Sequence, residues 1–196
     1  MSKVMATITM SLDGYVAGPR DRVDVGLGEG GERLHWWMFG EPDSAVGPDP
    51  ADTALVEQTF RSAGAAIVGR TMHDIAEGWG DDPGFGMPVF VLTHRPEEAV
   101  VKGDTRFEFV TEGIDATLAR ARAAAGERHV IVLGGADTLR QFLASCHFDE
   151  LTLTIAPFVL GGGKRLFEGF DRADLAFERF AVVESPLATH VRYHVS

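Results

Sequence analysis

Three short segments combine glycine, hydroxyl and cationic residues at the ends of apolar runs, where they could hold an anion. The first consists of Gly69, Arg70 and Thr71 and follows the apolar run 65–68. A helix that begins here would offer free backbone N–H groups and the positive end of its dipole to a negatively charged ligand. Arg70 adds a permanent positive charge and Thr71 a hydroxyl group. The alternative interpretation is a capped helix with a surface arginine.

The second segment consists of Thr93, His94 and Arg95, after the apolar run 89–92. A hydroxyl, an imidazole and a guanidinium at the end of one strand could clamp a phosphate. Arg95 is suited to this because a guanidinium can donate two parallel hydrogen bonds to one phosphate group. The alternative interpretation is a solvated turn before Pro96.

The third segment closes an apolar run that starts at residue 130, and it contains Leu133, Gly134, Gly135, Ala136, Asp137 and Thr138. Two consecutive glycines let the backbone approach a ligand more closely than a side chain would allow. The amides after them would face a pyrophosphate at a helix start, although Asp137 or Thr138 could simply cap that helix. Ligands of open α/β sheets bind beyond the carboxyl ends of the strands. Together the three segments predict a dinucleotide site.

Several familiar signatures fail on closer inspection. Residues 26–31 match G-x-G-x-x-G, but no buried strand precedes them, so we interpret them as a loop. Residues 161–165 resemble the end of a P-loop, but an arginine stands where Ser or Thr should bind magnesium. His190 and His194 would lie about 13 Å apart along a strand, too far for one metal ion. The single cysteine, Cys146, excludes cysteine-based zinc motifs, and we predict no metal.

Strand-like and helix-like segments alternate along the chain before a β-rich end. Predicted helices cover 52–62, about 71–76, 114–125 and 138–145, and predicted strands cover 3–12, 65–68, 89–93, 107–110, 130–133, 151–155, 175–183 and 188–195. This order predicts an α/β fold whose central sheet is mostly parallel, with antiparallel strands at the C-terminal end. Residues 20–50 are rich in glycine and proline and predict a long loop insertion that contains Trp36 and Trp37.

Composition limits the classes of partner. The chain has 196 residues, with 18 Lys plus Arg against 29 Asp plus Glu, for a formal charge of −11. This balance argues against a general nucleic-acid or anionic-membrane binder. The length fits one domain spanning 1–196. Since no segment has the pattern of an export signal or a membrane span, we expect a cytoplasmic protein.

Five motifs occur in an order that is specific as a set. They are SLDGYVAG at 11–18, VGRT at 68–71, LTHR at 92–95, LGGA at 133–136 and IAPFVLGGG at 155–163. In these motifs the chain resembles the dihydrofolate reductase-like family. It is most similar to the branch containing the C-terminal reductase domain of the bifunctional riboflavin-biosynthesis protein. The deaminase half of that protein has no counterpart in this chain.

The resemblance implies a three-layer fold, NADPH as hydride donor and a homodimer. By this analogy residues 69–71 and 93–95 hold the adenosine and its phosphates, and Arg70 with Arg95 favours NADPH over NADH. Residues 134–138 would contact the pyrophosphate and ribose. Ala17 and Gly18 would border the nicotinamide, and residues 161–163 would lie near the site or brace its wall.

The predicted function is hydride transfer from NADPH to a small heterocyclic or carbonyl acceptor. Candidate acceptors are a pteridine, a folate or a molecule like 5-amino-6-(5-phosphoribosylamino)uracil. Asp13 is the candidate proton donor, with a turn residue as the alternative interpretation. The folate-binding carboxylate of true dihydrofolate reductases has no clear counterpart here. Asp52 and Glu57 are the candidates, since they lie on the predicted helix that would line the pocket. The alternatives are a nucleotide- or pterin-binding protein of the same fold without turnover, and an interaction module.

Overall fold

A nine-stranded sheet forms the centre of the computed structural model, which describes residues 2–45, 47–171 and 174–196. The strands are β1 (Val4–Ser11), β2 (Tyr15–Ala17), β3 (Ala63–Gly69), β4 (Val89–Leu92), β5 (Val100–Lys102), β6 (Thr105–Val110), β7 (His129–Gly134), β8 (Glu150–Ala156), β9 (Lys164–Arg165), β10 (Phe177–Ser185) and β11 (Ala188–Val195). The order in the large sheet is β10-β11-β8-β1-β7-β3-β4-β6-β5, while β2 pairs with β9 separately.

Six neighbouring strands of the large sheet, from β8 to β6, run parallel to one another. The other three are antiparallel: β10 and β11 form a C-terminal hairpin, β11 pairs with β8, and β5 pairs with β6. The predicted mostly parallel sheet with antiparallel C-terminal strands is therefore confirmed.

The central strands are buried on both faces, which explains their continuous apolar sequences. Successive side chains of a strand point to opposite faces. Accordingly, Ile67 packs into one apolar cluster, together with Val130, and its neighbours Ala66 and Val68 pack into a second. The two clusters mark the two faces of the sheet, with helices over each.

The helices are α1 (Trp36–Phe39), α2 (Pro50–Ser62), α3 (Arg70–Ile75), α4 (Ile114–Ala125) and α5 (Ala136–Ala144). Helices α4 and α5 pack on the first face through Leu118 and Phe142, among others. On the second face, Phe60 of α2 and Met72 of α3 pack against the other cluster. The three-layer arrangement follows from these contacts. No described helix combines the length and the apolar character needed to cross a bilayer.

Helix α2 is positioned by its first residues. The Asp49 side chain caps the helix by accepting a hydrogen bond of 2.8 Å from the backbone N of Ala51. Pro50 occupies the first turn, where its missing N–H costs nothing. The helix therefore starts one turn before the apolar residues Leu55 and Val56, and its first turn carries Asp52.

Part of the region predicted as a loop insertion is helical. A 3-10 turn covers Gly31–His35 and α1 follows it directly, so the prediction of an irregular loop is wrong for 31–39. Leu34 is buried against Ala156 and Phe158, and Trp37 is also buried. Tertiary packing of these apolar side chains overrides the glycine-rich local composition.

Candidate active site

A cleft of about 1000 Å³ runs along the second face of the sheet and the carboxyl ends of its strands. It extends from the loop after β4 to β11, a span of five strand spacings or roughly 24 Å. The predicted cofactor residues that line it are Ala17, Gly69, Arg70, Thr71, Thr93, His94, Arg95, Leu133, Gly134, Gly135, Ala136, Asp137 and Thr138. The structure therefore brings the three anion-binding segments together in one cleft.

Two arginines meet at one carboxylate where β3 and β4 end. Arg70 Nε donates to Asp74 Oδ1 at 2.6 Å, and Arg95 Nη2 donates to Asp74 Oδ2 at 2.6 Å. Arg70 also pairs with Glu97 at 2.6 Å, and its guanidinium lies 5.5 Å from the centre of the Phe109 ring. Arg70 is thus held on three sides.

Exposure distinguishes these two arginines. The Arg70 side chain is 18% exposed and the Arg95 side chain 62% exposed. Partial burial opposes ionisation of Asp74, but hydrogen bonds from His73, Arg95 and Arg70 outweigh it and lower its pKa. The ionised Asp74 fixes the pair, and Arg95 is the cation whose guanidinium remains accessible to a ligand.

Glycines shape the middle of the cleft. The peptide bond between Gly134 and Gly135 is cis, and Gly134 has a φ of 120° that other residues rarely adopt. A Cβ at Gly135 would meet no atom within 4 Å, so its backbone borders open space. A Cβ at Gly69, in contrast, would collide with the Thr138 hydroxyl. Glycine at position 69 therefore leaves room for the Thr138 side chain of α5 beside the end of β3.

Gly18, which the resemblance places beside the nicotinamide, lines a neighbouring cavity and not this cleft, and its predicted role stays a prediction. Its backbone N donates to the carbonyl of Leu27 at 2.7 Å, and a Cβ would collide with the carbonyl of Glu29. Two backbone segments pack against each other here, which explains why a glycine is needed. Its neighbour Ala17 is buried and does line the cleft.

Asp13 holds a turn together at the end of β1. Its carboxylate accepts hydrogen bonds from Ser11 Oγ at 2.6 Å and from the backbone N of Leu160 and Gly161 at 3.0 and 2.8 Å. The Ser11 hydroxyl, and then the two amides, lower the pKa of Asp13 from 3.8 to about 2. An ionised carboxylate holds no proton to donate, and Asp13 does not line the cleft. This geometry favours the turn interpretation over the predicted proton donor.

The loop that contains residues 161–163 braces the wall of the cleft. Besides its bonds to Asp13, it leads into β9, which pairs with β2. A Cβ at Gly163 would collide with the carbonyl of Ala17, which lines the cleft together with Val16 of the same strand. Glycine at 163 therefore allows the loop to press against β2 from behind.

A row of polar side chains crosses the far end of the cleft, on β1, β8 and β11. Thr9 lies beside Thr154, and Thr154 lies opposite His190, in the registers of the two strand pairs. Thr7 and Thr152 form a second pair one step along. All five residues line the cleft.

The row ends in a buried ionisable pair, His190 and Asp52. His190 is fully buried, and its Nε2 lies 2.8 Å from Oδ1 of Asp52, whose side chain is 2% exposed. The other ring nitrogen of His190, Nδ1, lies 2.8 Å from Thr154 Oγ1. The second oxygen of Asp52, Oδ2, is buried without a hydrogen-bond partner among the described residues. Such an arrangement is costly for stability, which points to a functional reason for retaining it.

Trp37 covers this pair from the side of α1. Its ring lies edge-on to His190 with centroids 4.8 Å apart, and its Nε1 donates to Thr9 Oγ1 at 3.1 Å. The sequence identifies Asp52 as a candidate carboxylate of the pocket, but no sequence pattern pairs it with His190. Glu57, the other candidate on the same helix, is exposed and pairs with Arg61.

The described residues contain no group of three or more His, Cys, Asp or Glu side chains that could hold a metal ion. His190, which the sequence analysis considered beside His194, is already bonded at both ring nitrogens. The prediction of no metal stays a prediction.

Comparisons with solved structures support this fold. The chain is similar to a protein from Shewanella sp. PV-4 named for riboflavin biosynthesis, at 26% identity over 99% of both chains and a TM-score of 0.71. It is also similar to dihydrofolate reductase from Enterococcus faecalis, solved with NADP(H) and RAB-propyl, at 16% identity over 99% of this chain and 96% of that one, with a TM-score of 0.59.

A third structure is the diaminohydroxyphosphoribosylaminopyrimidine deaminase/5-amino-6-(5-phosphoribosylamino)uracil reductase from Thermotoga maritima. The identity is 16% over 100% of this chain and 57% of that one, with a TM-score of 0.62. These likenesses confirm the predicted dihydrofolate reductase-like fold. A sequence search of curated proteins finds no match. The family model of the RibD C-terminal domain matches residues 2–185, and the chain therefore belongs to that family.

Proposed function

We propose that this protein is an oxidoreductase that transfers a hydride from NADPH to a small planar acceptor. One observation carries the proposal. The three predicted anion-binding segments and the polar row on β1, β8 and β11 line a single continuous cleft. A dinucleotide along the strand ends would bring its far end beside the polar row, where an acceptor could lie against it.

The residues present fit a nicotinamide dinucleotide. Arg95 would contact the 2′-phosphate, since its guanidinium is accessible while that of Arg70 is enclosed. The start of α5 would contact the pyrophosphate, because Gly135 leaves space for it and the first helical amides lack partners within the helix. Ala17 and β1 would border the nicotinamide.

Reduction of a C=N or C=O bond needs a proton as well as a hydride. When bound, NADPH supplies the hydride. Thr154 lines the cleft although it is only 1% exposed. Its hydroxyl would pass a proton to the acceptor, and His190, held by Asp52, would return one to Thr154. We assign the proton path to these three residues in place of Asp13.

The relatives support the class of reaction. Three of the similar structures carry names of reductases or of riboflavin biosynthesis. One of those structures was solved with NADP(H). These names support an oxidoreductase with a nicotinamide cofactor, while the acceptor has to be found by experiment.

The test is the oxidation of NADPH, followed by its absorbance, in the presence of pteridines, folates, aminopyrimidines and simple carbonyl compounds. We expect turnover with at least one acceptor and none without protein. NADPH binding without oxidation by any acceptor would favour the alternative of a nucleotide-binding protein without turnover. Absence of NADPH binding would contradict both.

Thr154→Val tests the proton path. We expect the single-turnover rate to fall about 100-fold, which is typical for loss of a general acid, while the Kd for NADPH stays unchanged. Thr154→Ser keeps the hydroxyl and should restore most of the rate. Equal rates for the Val and Ser variants would remove Thr154 from the path.

A further inference from the structure

We define the acceptor end of the cleft by Thr9, Thr154 and His190; among the described residues, no unpaired cation lines it. The nearest apolar lining side chains belong to the 3-10 turn, α1 and α2: Leu34, Trp37, Met38, Phe39, Leu55 and Val56. Phe39 is 75% exposed and so forms part of the rim. A ligand group that extends from this end towards solvent therefore passes apolar side chains.

The cations around this end already have partners. Lys164, which lines the cleft, pairs with Asp21 at 2.7 Å. The Arg33 guanidinium lies 4.1 Å from the centre of the Phe158 ring and 5.3 Å from that of Trp36. Each positive charge is thus neutralised or stacked on aromatic rings.

A neighbouring cavity of about 440 Å³ beside Gly18 shows the same pairing. Among its cations, Arg20 pairs with Glu29, and Arg140 pairs with Asp137. Arg140 also donates to the backbone carbonyls of Arg165 and Glu168. The described cations of this cavity each pair with a carboxylate, but the Arg20 side chain, at 61% exposure, is as accessible as that of Arg95.

The remaining charges disfavour an anion. Burial lowers the pKa of His35, so this lining residue is neutral at pH 7. Residues 20–50, which include the rim, contain seven acidic side chains against three arginines. Glu32 of this segment lines the cleft, and so does Asp21, whose charge is paired with Lys164. A phosphate here would lose hydration without gaining a cation.

The floor of the acceptor end suits an uncharged ring. The hydroxyls of the half-buried Thr7 and Thr152 can donate or accept a hydrogen bond, as ring nitrogens, amino groups and carbonyls require. Those of Thr9 and Thr154 are buried and already bonded to Trp37 and His190. The apolar walls can cover the faces of a flat molecule. Neutral polar groups on the floor and apolar groups on the walls together match an uncharged flat ring.

We propose that the acceptor end binds an uncharged planar heterocycle without a phosphate group and discriminates against its phosphorylated counterpart. This inference rests on the proposed function, because it assigns the other end of the cleft to the dinucleotide. The acceptor would accordingly differ from the phosphoribosyl compound in the name of the Thermotoga maritima relative.

The experiment uses matched pairs of probes that differ only in one phosphate. The protein is first saturated with NADP⁺, which fills the phosphate-binding end and prevents turnover. Calorimetry then compares 6-hydroxymethylpterin with its phosphate monoester, and riboflavin with riboflavin 5′-phosphate. We expect at least one unphosphorylated probe to bind at least tenfold more tightly than its partner. Equal or tighter binding of the phosphorylated partner, or no binding of any probe, overturns the proposal.

A charge placed in the wall provides the converse test. Val56 of α2 lines the acceptor end and is half-buried, so a longer side chain can reach the cleft. We expect Val56→Arg to tighten binding of a phosphorylated probe about tenfold, as one new ion pair in a partly desolvated site would. The matched control Val56→Gln adds length without charge and should not do so. Equal effects of Arg and Gln would contradict the electrostatic basis.

The two proposals can fail separately. If NADP⁺ does not bind in the first step, the proposed function fails before any acceptor probe is added. If NADP⁺ binds and the phosphorylated probes bind best, only the acceptor class is wrong.

Discussion

The two ends of the cleft are built in different ways. At the dinucleotide end, the lining residues are neighbours in the sequence, as in 69–71, 93–95 and 133–138, and they lie on loops after strands. At the acceptor end, Thr9, Asp52, Thr154 and His190 come from four separate elements. The end assigned to the dinucleotide offers backbone amides and an accessible arginine. The acceptor end offers hydroxyls and the buried pair of His190 and Asp52.

This difference has a physical origin. A phosphate can be held by one strand-to-helix turn, since consecutive amides and a nearby cation suffice. A flat uncharged ring needs walls on both faces and polar groups at its edge, which several elements must supply together. The dinucleotide end should therefore tolerate loss of the acceptor end, and loss of the buried pair should mainly affect stability and turnover.

The largest expected effect is on the stability of the acceptor end. Asp52→Ala leaves the fully buried His190 without its hydrogen-bonded carboxylate, and leaving a buried polar group without its partner costs up to about 3 kcal/mol. Urea unfolding at pH 7 measures the loss. Glu57→Ala on the same helix removes an exposed carboxylate and should change the free energy of unfolding by less than about 0.5 kcal/mol. Similar losses for both variants would contradict the assignment.

The next effect concerns the dinucleotide end. Gly135→Leu places a side chain in the space assigned to the pyrophosphate, and displacing a packed group costs about 1–3 kcal/mol. We expect the Kd for NADPH to rise roughly 10- to 100-fold with little change in Tm. Gly47→Leu, where a Cβ also meets no atom within 4 Å but which lies outside the cleft, is the matched control. Unchanged NADPH affinity in the Gly135 variant would move the pyrophosphate elsewhere.

A smaller and more selective effect is expected at Arg95. Removal of one charge-assisted contact costs about 1.5–3 kcal/mol, so Arg95→Ala should weaken NADPH binding at least about tenfold. NADH lacks the 2′-phosphate and should bind the variant as well as it binds the wild type. Arg61→Ala, on the exposed face of α2, should change neither affinity. Equal losses for both cofactors would show that Arg95 does not contact the 2′-phosphate.

The smallest effect is expected at Asp13. Its pKa of about 2 lies below the ordinary 3.8, so its ionised form stabilises the fold above about pH 4 and that contribution is lost as the pH falls towards 2. Asp13→Asn should lower the Tm slightly at pH 7, and the difference from wild type should shrink below pH 4. NADPH affinity should not change. A large loss of turnover at unchanged Tm would restore Asp13 as proton donor.

The three segments that line one end of the cleft can be picked out from the sequence, whereas the buried pair at the other end cannot. Residues such as Gly135 and Arg95 can be picked out from the local sequence, because the turn, the helix start and the charged side chain lie within a few positions of one another. His190 and Asp52 are 138 positions apart, and no local pattern pairs them. The reason for a glycine at position 18 is equally non-local, because a side chain there would collide with the carbonyl of Glu29 in another segment.

Prediction of the fold shows the same contrast between local patterns and distant contacts. Strands β3, β4 and β7 are predicted from their apolar runs because both of their faces are buried. The short edge strand β5 was missed, since Val100 and Val101 are exposed and leave no burial pattern. The helical turns at 31–39 were missed because Leu34 and Trp37 pack against distant elements.

The most direct test of the central assignment is a paired titration of the wild-type protein with NADPH and NADH, followed by tryptophan fluorescence. Trp37 and Trp79 line the cleft and report on its occupation. We predict saturable quenching by NADPH with a micromolar Kd and at least tenfold weaker binding of NADH. Absence of quenching and of calorimetric binding for both dinucleotides would contradict the assignment of this cleft to a nicotinamide cofactor.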